Sequence, residues 1–115
     1  MKVKINNIKL KVKLCLNPND IRKGMMGKTF DNNFNGMLFF VGSGEHNFWM
    51  KNCIIPLDII YIQNNTIKKI HHNCEPCLGA NCPTFNGSGN IVLEVPGNFC
   101  KENGIIEGDN LFFLI

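Results

Sequence analysis

A chain of 115 residues and 13.0 kDa, 44% hydrophobic and 18% charged, is long enough to bury one core and too apolar for extended disorder. Its net charge of +3 traces to five lysines and no acid in the first 13 residues; with Arg22 the only arginine and no aromatics among those lysines, a nucleic-acid binder is not expected. There is no apolar run of about 18 residues and no apolar leader at the amino terminus, so a cytoplasmic protein without membrane contact is expected.

The lysines at 2, 4, 9, 11 and 13 alternate with Val3, Ile5, Ile8, Leu10 and Val12 in two phases that switch at Asn6-Asn7. Period two is the signature of a strand wet on one face, and the phase switch implies a bent strand or a tight hairpin. Asn17-Pro18-Asn19-Asp20 is a turn, with Asn19 or Asp20 placed to cap a short helix over Ile21 to Met26 and Gly27 to stop it. The unbroken apolar run Met37 to Val41 predicts a buried strand. Phe48-Trp49-Met50, Leu57 to Ile62 and Ile67 to His71 predict three more, the last two joined through Asn64-Asn65. Residues 73 to 90 read as a long polar loop, Ile91 to Val95 as a strand, Asn98 as the cap of a brief helix, and Leu111 to Ile115 as the closing strand. About seven short strands with almost no helix predict a mainly β protein. The expected form is a single-domain antiparallel β-sandwich or jelly-roll-like barrel with one or two short helices.

Several phrases occur in an order that resembles one family, domain of unknown function 192. They are Arg22-Lys23-Gly24-Met25-Met26-Gly27, Gly36-Met37-Leu38-Phe39, the segment FWMKNCIIPLDIIYI from Phe48 to Ile62, Glu75-Pro76-Cys77 with Cys82-Pro83, and VLEV at 92 to 95. The resemblance implies a compact β-sandwich or jelly-roll-like domain and names no activity or cofactor. It also favours a disulfide between Cys77 and Cys82. The residues by themselves leave two other readings of that loop open: a zinc site using Cys74, Cys77, Cys82 and His71-His72, or free thiols.

Six residues combine polar or flat side chains with otherwise apolar strands and form the candidate site. Trp49 offers a stacking face, Arg22 and Lys51 offer charge for an anionic group, and Asn52, Asp58 and Glu94 offer hydrogen bonds to hydroxyls. The expected ligand is a polar small molecule, a saccharide or a nucleotide-like compound, with no cofactor. Arg22 could instead clamp the helix to the sheet by pairing with Asp58 or Glu94. A hydrolase or lyase with Asp58 and Glu94 as an acid–base pair is a second reading, and a protein-interaction module using residues 1 to 14 or 73 to 90 is a third.

Overall fold

The structure, a computed structural model, describes residues 1–115. The two amino-terminal phases form a hairpin of β1 (Lys2–Ile5) and β2 (Ile8–Cys15), with Asn6 at a φ of 54° in its turn. Asparagine tolerates this left-handed conformation better than other residues with a Cβ. The register sets Lys2 opposite Lys11 and Lys4 opposite Lys9, so the hairpin's outer face is cationic while Val3, Ile5, Leu10 and Val12 are buried.

Helix α1 (Pro18–Lys23) starts one turn earlier than the sequence suggests. Asn17 is its cap, its side chain accepting from the Asp20 N–H at 2.9 Å, with Pro18 in the first turn, where a missing N–H costs nothing. Gly24 ends it at a φ of 43°; a Cβ there would stand 3.2 Å from the Phe39 ring. The chain then enters β3 (Gly36–Phe40), which pairs parallel to β2 and antiparallel to β8 (Ile91–Pro96). That parallel pair departs from an all-antiparallel sheet. A parallel pair needs a crossover connection, and residues 16–35 are long enough to supply it.

Strands β5 (Leu57–Gln63) and β6 (Thr66–Cys74) form a hairpin through Asn64 and Asn65, both left-handed, and β5 also pairs with β8. With β9 (Leu111–Leu114) on β1, the seven strands run β6-β5-β8-β3-β2-β1-β9. The sheet curls until its ends meet: Leu111 N–H donates to Asn65 O, and Ile67 and the 108–109 turn exchange two more bonds, all at 2.8 Å. Val3, Ile5, Leu38, Ile60, Leu93 and Val95 fill the interior. The alternate residues Met37, Phe39, Ile59, Tyr61 and Val92 form a second core outside the curl. The central strands are therefore buried on both faces, which is why their sequences read as nearly continuous apolar runs, interrupted only by Asp58 in β5 and Glu94 in β8.

The second core is covered by the crossover, the Met50–Cys53 segment, and a small sheet of β4 (Glu45–Trp49) paired with β7 (Thr84–Ser88). Strand β7 lies inside the stretch expected to be loop. Thr84-Phe85-Asn86-Gly87-Ser88 carries one large apolar residue, so its pattern is too weak to announce a strand; it is held by pairing with β4 and by what it covers. The Tyr61 hydroxyl donates to Phe85 O at 2.5 Å and also stands 3.2 Å from His46 O, so its one proton lies between an acceptor on each strand. Gly87 sits directly on the Tyr61 ring, where an added Cβ would overlap the ring atoms. Gly87→Ala is expected to lower stability by about 1–3 kcal/mol through overpacking, measured as a lower urea midpoint. An unchanged midpoint would mean that the small sheet is not seated on Tyr61.

Helix α2 (Phe99–Glu102) begins after Asn98, as the sequence suggests, but the Asn98 side chain makes no capping bond and its backbone is left-handed. The cap comes from Asp58 on β5, whose carboxylate accepts from the backbone N–H groups of Asn98 and Cys100 at 2.9 Å each. A third bond, at 2.7 Å, comes from the N–H of Asn73, where β6 bulges.

Candidate functional site

A cleft of about 210 Å³ opens between the crossover and the small sheet. One wall is Ile21, Gly24 and Met25 from the crossover; the other is Asn47, Phe48 and Trp49 of β4. Phe39 and Glu94 reach it from the curled sheet, and Arg22, Lys23 and Lys51 add three cationic side chains. The parallel β2–β3 connection is thus what builds the site, because it carries residues 21–26 across the outer face of the sheet.

Glu94 is the unusual member. Its cross-strand partners are Met37 and Ile59, both buried, and the residue is itself only 3% exposed. No cation pairs with it and its Oε1 has no hydrogen-bond partner. Loss of hydration raises its pKa from an ordinary 4.5 to about 8, so the carboxyl is largely neutral at pH 7. A neutral carboxyl presents an O–H donor beside a carbonyl acceptor. The thiol of Cys53, also in the cleft, is pushed up to about 11 by burial and then by the charge of Glu94. It is no nucleophile at neutral pH.

Four of the six residues singled out from sequence, Arg22, Trp49, Lys51 and Glu94, share this cleft. Trp49 stands half-exposed with the Lys51 ammonium 5.2 Å from its ring centre, so a cation already lies over the ring expected to stack a ligand. Arg22 is exposed and donates to Asn19 Oδ1 at 3.0 Å within its own helix; the proposed clamp onto Asp58 or Glu94 does not form. Asn52 lies outside the cleft. It is left-handed, at a φ of 59°, and its backbone joins two neighbouring segments by accepting from Gly27 N–H and donating to Cys77 O, each at 2.9 Å.

Asp58 is fully buried, pairs across the strands with Val95, and spends both oxygens on backbone N–H groups. Direct cross-strand neighbours share a face. Asp58 with Val95 therefore faces the barrel interior, and Glu94 with Ile59 faces the cleft. The two carboxyls point to opposite sides of the sheet, so the acid–base pair of the hydrolase or lyase reading does not assemble, and Asp58 does not line this cleft.

Cys77 and Cys82 are disulfide-bonded, with Cα atoms 5.8 Å apart. Cys74 is buried in the second core, so the three thiols do not converge on a metal. The bonded loop supports the cleft from outside: Cys77 N–H donates to Met50 O at 3.1 Å and Cys77 O accepts from Asn52, fixing the segment that carries Lys51. The sequence reading missed Lys23, Phe39 and Phe48 as cleft residues. Phe39 and Phe48, which in the sequence belong to apolar strands and to the family-like phrases, make an edge-to-face pair with ring centres 5.1 Å apart.

The model of the family described as DUF192, Uncharacterized ACR, matches residues 1–113. The chain is similar to a crystal structure from Sinorhizobium meliloti 1021, provisionally named a transcription regulator. The identity is 28%, the match covers 96% of this chain and 90% of that one, and the TM-score is 0.85. It is also similar to the crystal structure of a protein of unknown function from Novosphingobium aromaticivorans DSM 12444, at 26% identity over 97% of this chain and 84% of that one, with a TM-score of 0.85. No curated protein matches at a significant level. No helix is long and apolar enough to cross a membrane.

Proposed function

The chain belongs to the DUF192 family, and from that premise, which supplies a fold without a ligand, we propose that it is a small-molecule binding module whose cleft takes a nucleotide-like compound. The observation that carries this reading is the division of the cleft into apolar walls, one buried polar group and three cations. The walls formed by Met25, Phe39 and Phe48 suit a flat ring. Arg22, Lys23 and Lys51 suit an anionic substituent such as a phosphate, which guanidinium and ammonium groups bind by charge-assisted hydrogen bonds. A saccharide fits less well, since a polyol needs many hydrogen-bond partners and, apart from the three cations, this lining offers one side-chain amide, Asn47, and one carboxyl, Glu94. At about 210 Å³ the cavity is also below the ~300–1,000 Å³ of drug-sized sites, which favours one small ring system inside with its charged tail outside.

Thermal denaturation with millimolar nucleoside monophosphates, and in parallel with mono- and disaccharides, tests the reading. A nucleotide held at 100 times its dissociation constant stabilises the folded protein by about 2.7 kcal/mol, which is several degrees for a domain of this size. Arg22→Ala combined with Lys51→Ala is expected to weaken that response about tenfold or more. A response to sugars alone, or to neither class, would sink the proposal.

A further inference from the structure

We propose that Glu94 recognises the ring of the bound ligand as a neutral carboxylic acid, donating its O–H to a ring acceptor and accepting from an adjacent ring or exocyclic N–H. The ligand class is therefore one whose ring edge sets a hydrogen-bond donor beside an acceptor, as an amidine or lactam edge does. This inference rests on the nucleotide-like reading of the cleft and specifies which atoms of the ring are read.

Its basis is an unmet bonding capacity in a particular place. Glu94 is nine-tenths buried or more, lines the cleft between apolar neighbours, and has an oxygen with no partner. Buried polar atoms are nearly always satisfied, and an unpartnered one in a side chain that lines a cavity leaves bonding capacity for a ligand atom that reaches the carboxyl from the cleft. The groups around it leave the carboxyl uncharged. Met37 and Ile59 flank it on β3 and β5; Cys53 lines the same cleft; Cys15, Tyr61 and Cys74 lie within its electrostatic reach on β2, β5 and β6. All three thiols and the phenol are held neutral by burial, with pKa values near 11 to 12. Arg22, Lys23 and Lys51 share the cleft, yet burial is the one influence that moves the Glu94 pKa. A buried ionised carboxylate with no countercharge would be costly, whereas the neutral acid needs only a matched pair of hydrogen bonds.

Two variants separate a neutral reader from a carboxylate. Gln is neutral and presents a donor beside an acceptor, as the protonated acid does; Leu keeps the approximate volume and removes both. Calorimetric titration with adenosine monophosphate, and with ribose phosphate as the ringless control, should be run on the wild type, Glu94→Gln and Glu94→Leu from pH 6 to pH 9. The expected pattern is tight binding by the wild type at pH 6 with weakening of about tenfold by pH 9, near-constant binding by Glu94→Gln, and loss of about tenfold or more in Glu94→Leu at pH 6. Wild-type affinity that rises with pH, together with loss in Glu94→Gln, would mean that the ionised form binds and would overturn the inference. Equal binding of adenosine monophosphate and ribose phosphate would overturn it too, while leaving phosphate recognition at the mouth intact. Failure of every protein to bind either probe would remove the inference and the nucleotide-like reading together.

Discussion

Asp58→Ala is expected to lower the free energy of unfolding by on the order of 5 kcal/mol, the largest effect of any single substitution considered for this chain. One carboxylate gathers three backbone N–H groups from two elements far apart in sequence: Asn73 at the β6 bulge, and Asn98 and Cys100 at the start of α2. Those donors are not otherwise paired. Asn98 has a left-handed backbone and no side-chain cap, and α2 is only four residues long, so it has little intrinsic tendency to form. Alanine leaves three donors without an acceptor, the Cys100 N–H buried and those of Asn73 and Asn98 part-buried, at about 1–3 kcal/mol for each one that water does not reach. Asp58→Asn keeps the shape and one oxygen but turns a donor toward another donor, so about half the loss is expected. Urea unfolding of both variants checks this. A change below about 1 kcal/mol in Asp58→Ala would show that water replaces the carboxylate at no net cost. Should Asp58→Ala fail to fold, Asp58→Asn still gives the measurement.

The same residue illustrates how far the sequence could be read. The strands were legible because their signal is local: alternation in β1 and β2, an apolar run in β3, apolar runs broken by one acid each in β5 and β8, asparagines at the hairpin turns. The shared cleft of Arg22, Trp49, Lys51 and Glu94 was legible in part because polar or flat side chains interrupt apolar stretches. What stayed hidden depends on which face of a strand meets which partner. Asp58 and Glu94 look alike in sequence, an acid within a run of aliphatic residues, yet register sends one to backbone donors in the interior and leaves the other open to a cleft. The parallel β2–β3 pair was hidden for a related reason. Its crossover contains only a six-residue helix and so lacks the long amphipathic pattern that usually advertises such a connection. Lys23, Phe39 and Phe48 became cleft residues because the crossover and the β4–β7 sheet pack on one face of the curled sheet, an arrangement that no local pattern encodes even where it signals α1 and β4.

Glu94 then makes a prediction that stands without any ligand. Its pKa is near 4.5 in an unfolded chain and about 8 in the folded protein. Between those values the folded state holds a proton that the unfolded state has released, so stability is fully present below pH 4.5 and declines as pH rises toward 8. Each unit corresponds to about 1.4 kcal/mol, giving a loss on the order of 5 kcal/mol by pH 8 to 9. Glu94→Gln removes the titration while keeping the size and the neutral polar character of the side chain. Denaturation of the two proteins at pH 5, 7 and 9 should therefore give nearly equal stabilities at pH 5 and a lead for the variant of several kcal/mol at pH 9. Taking the difference between the two curves cancels the other titrating groups, which both proteins share. Parallel curves would mean that the carboxyl is hydrated or paired in solution. A widening difference would show that the fold carries, in the lining of its cleft, an acid that a glutamine replaces with a gain in stability at high pH, a cost that the buried carboxyl imposes on the fold.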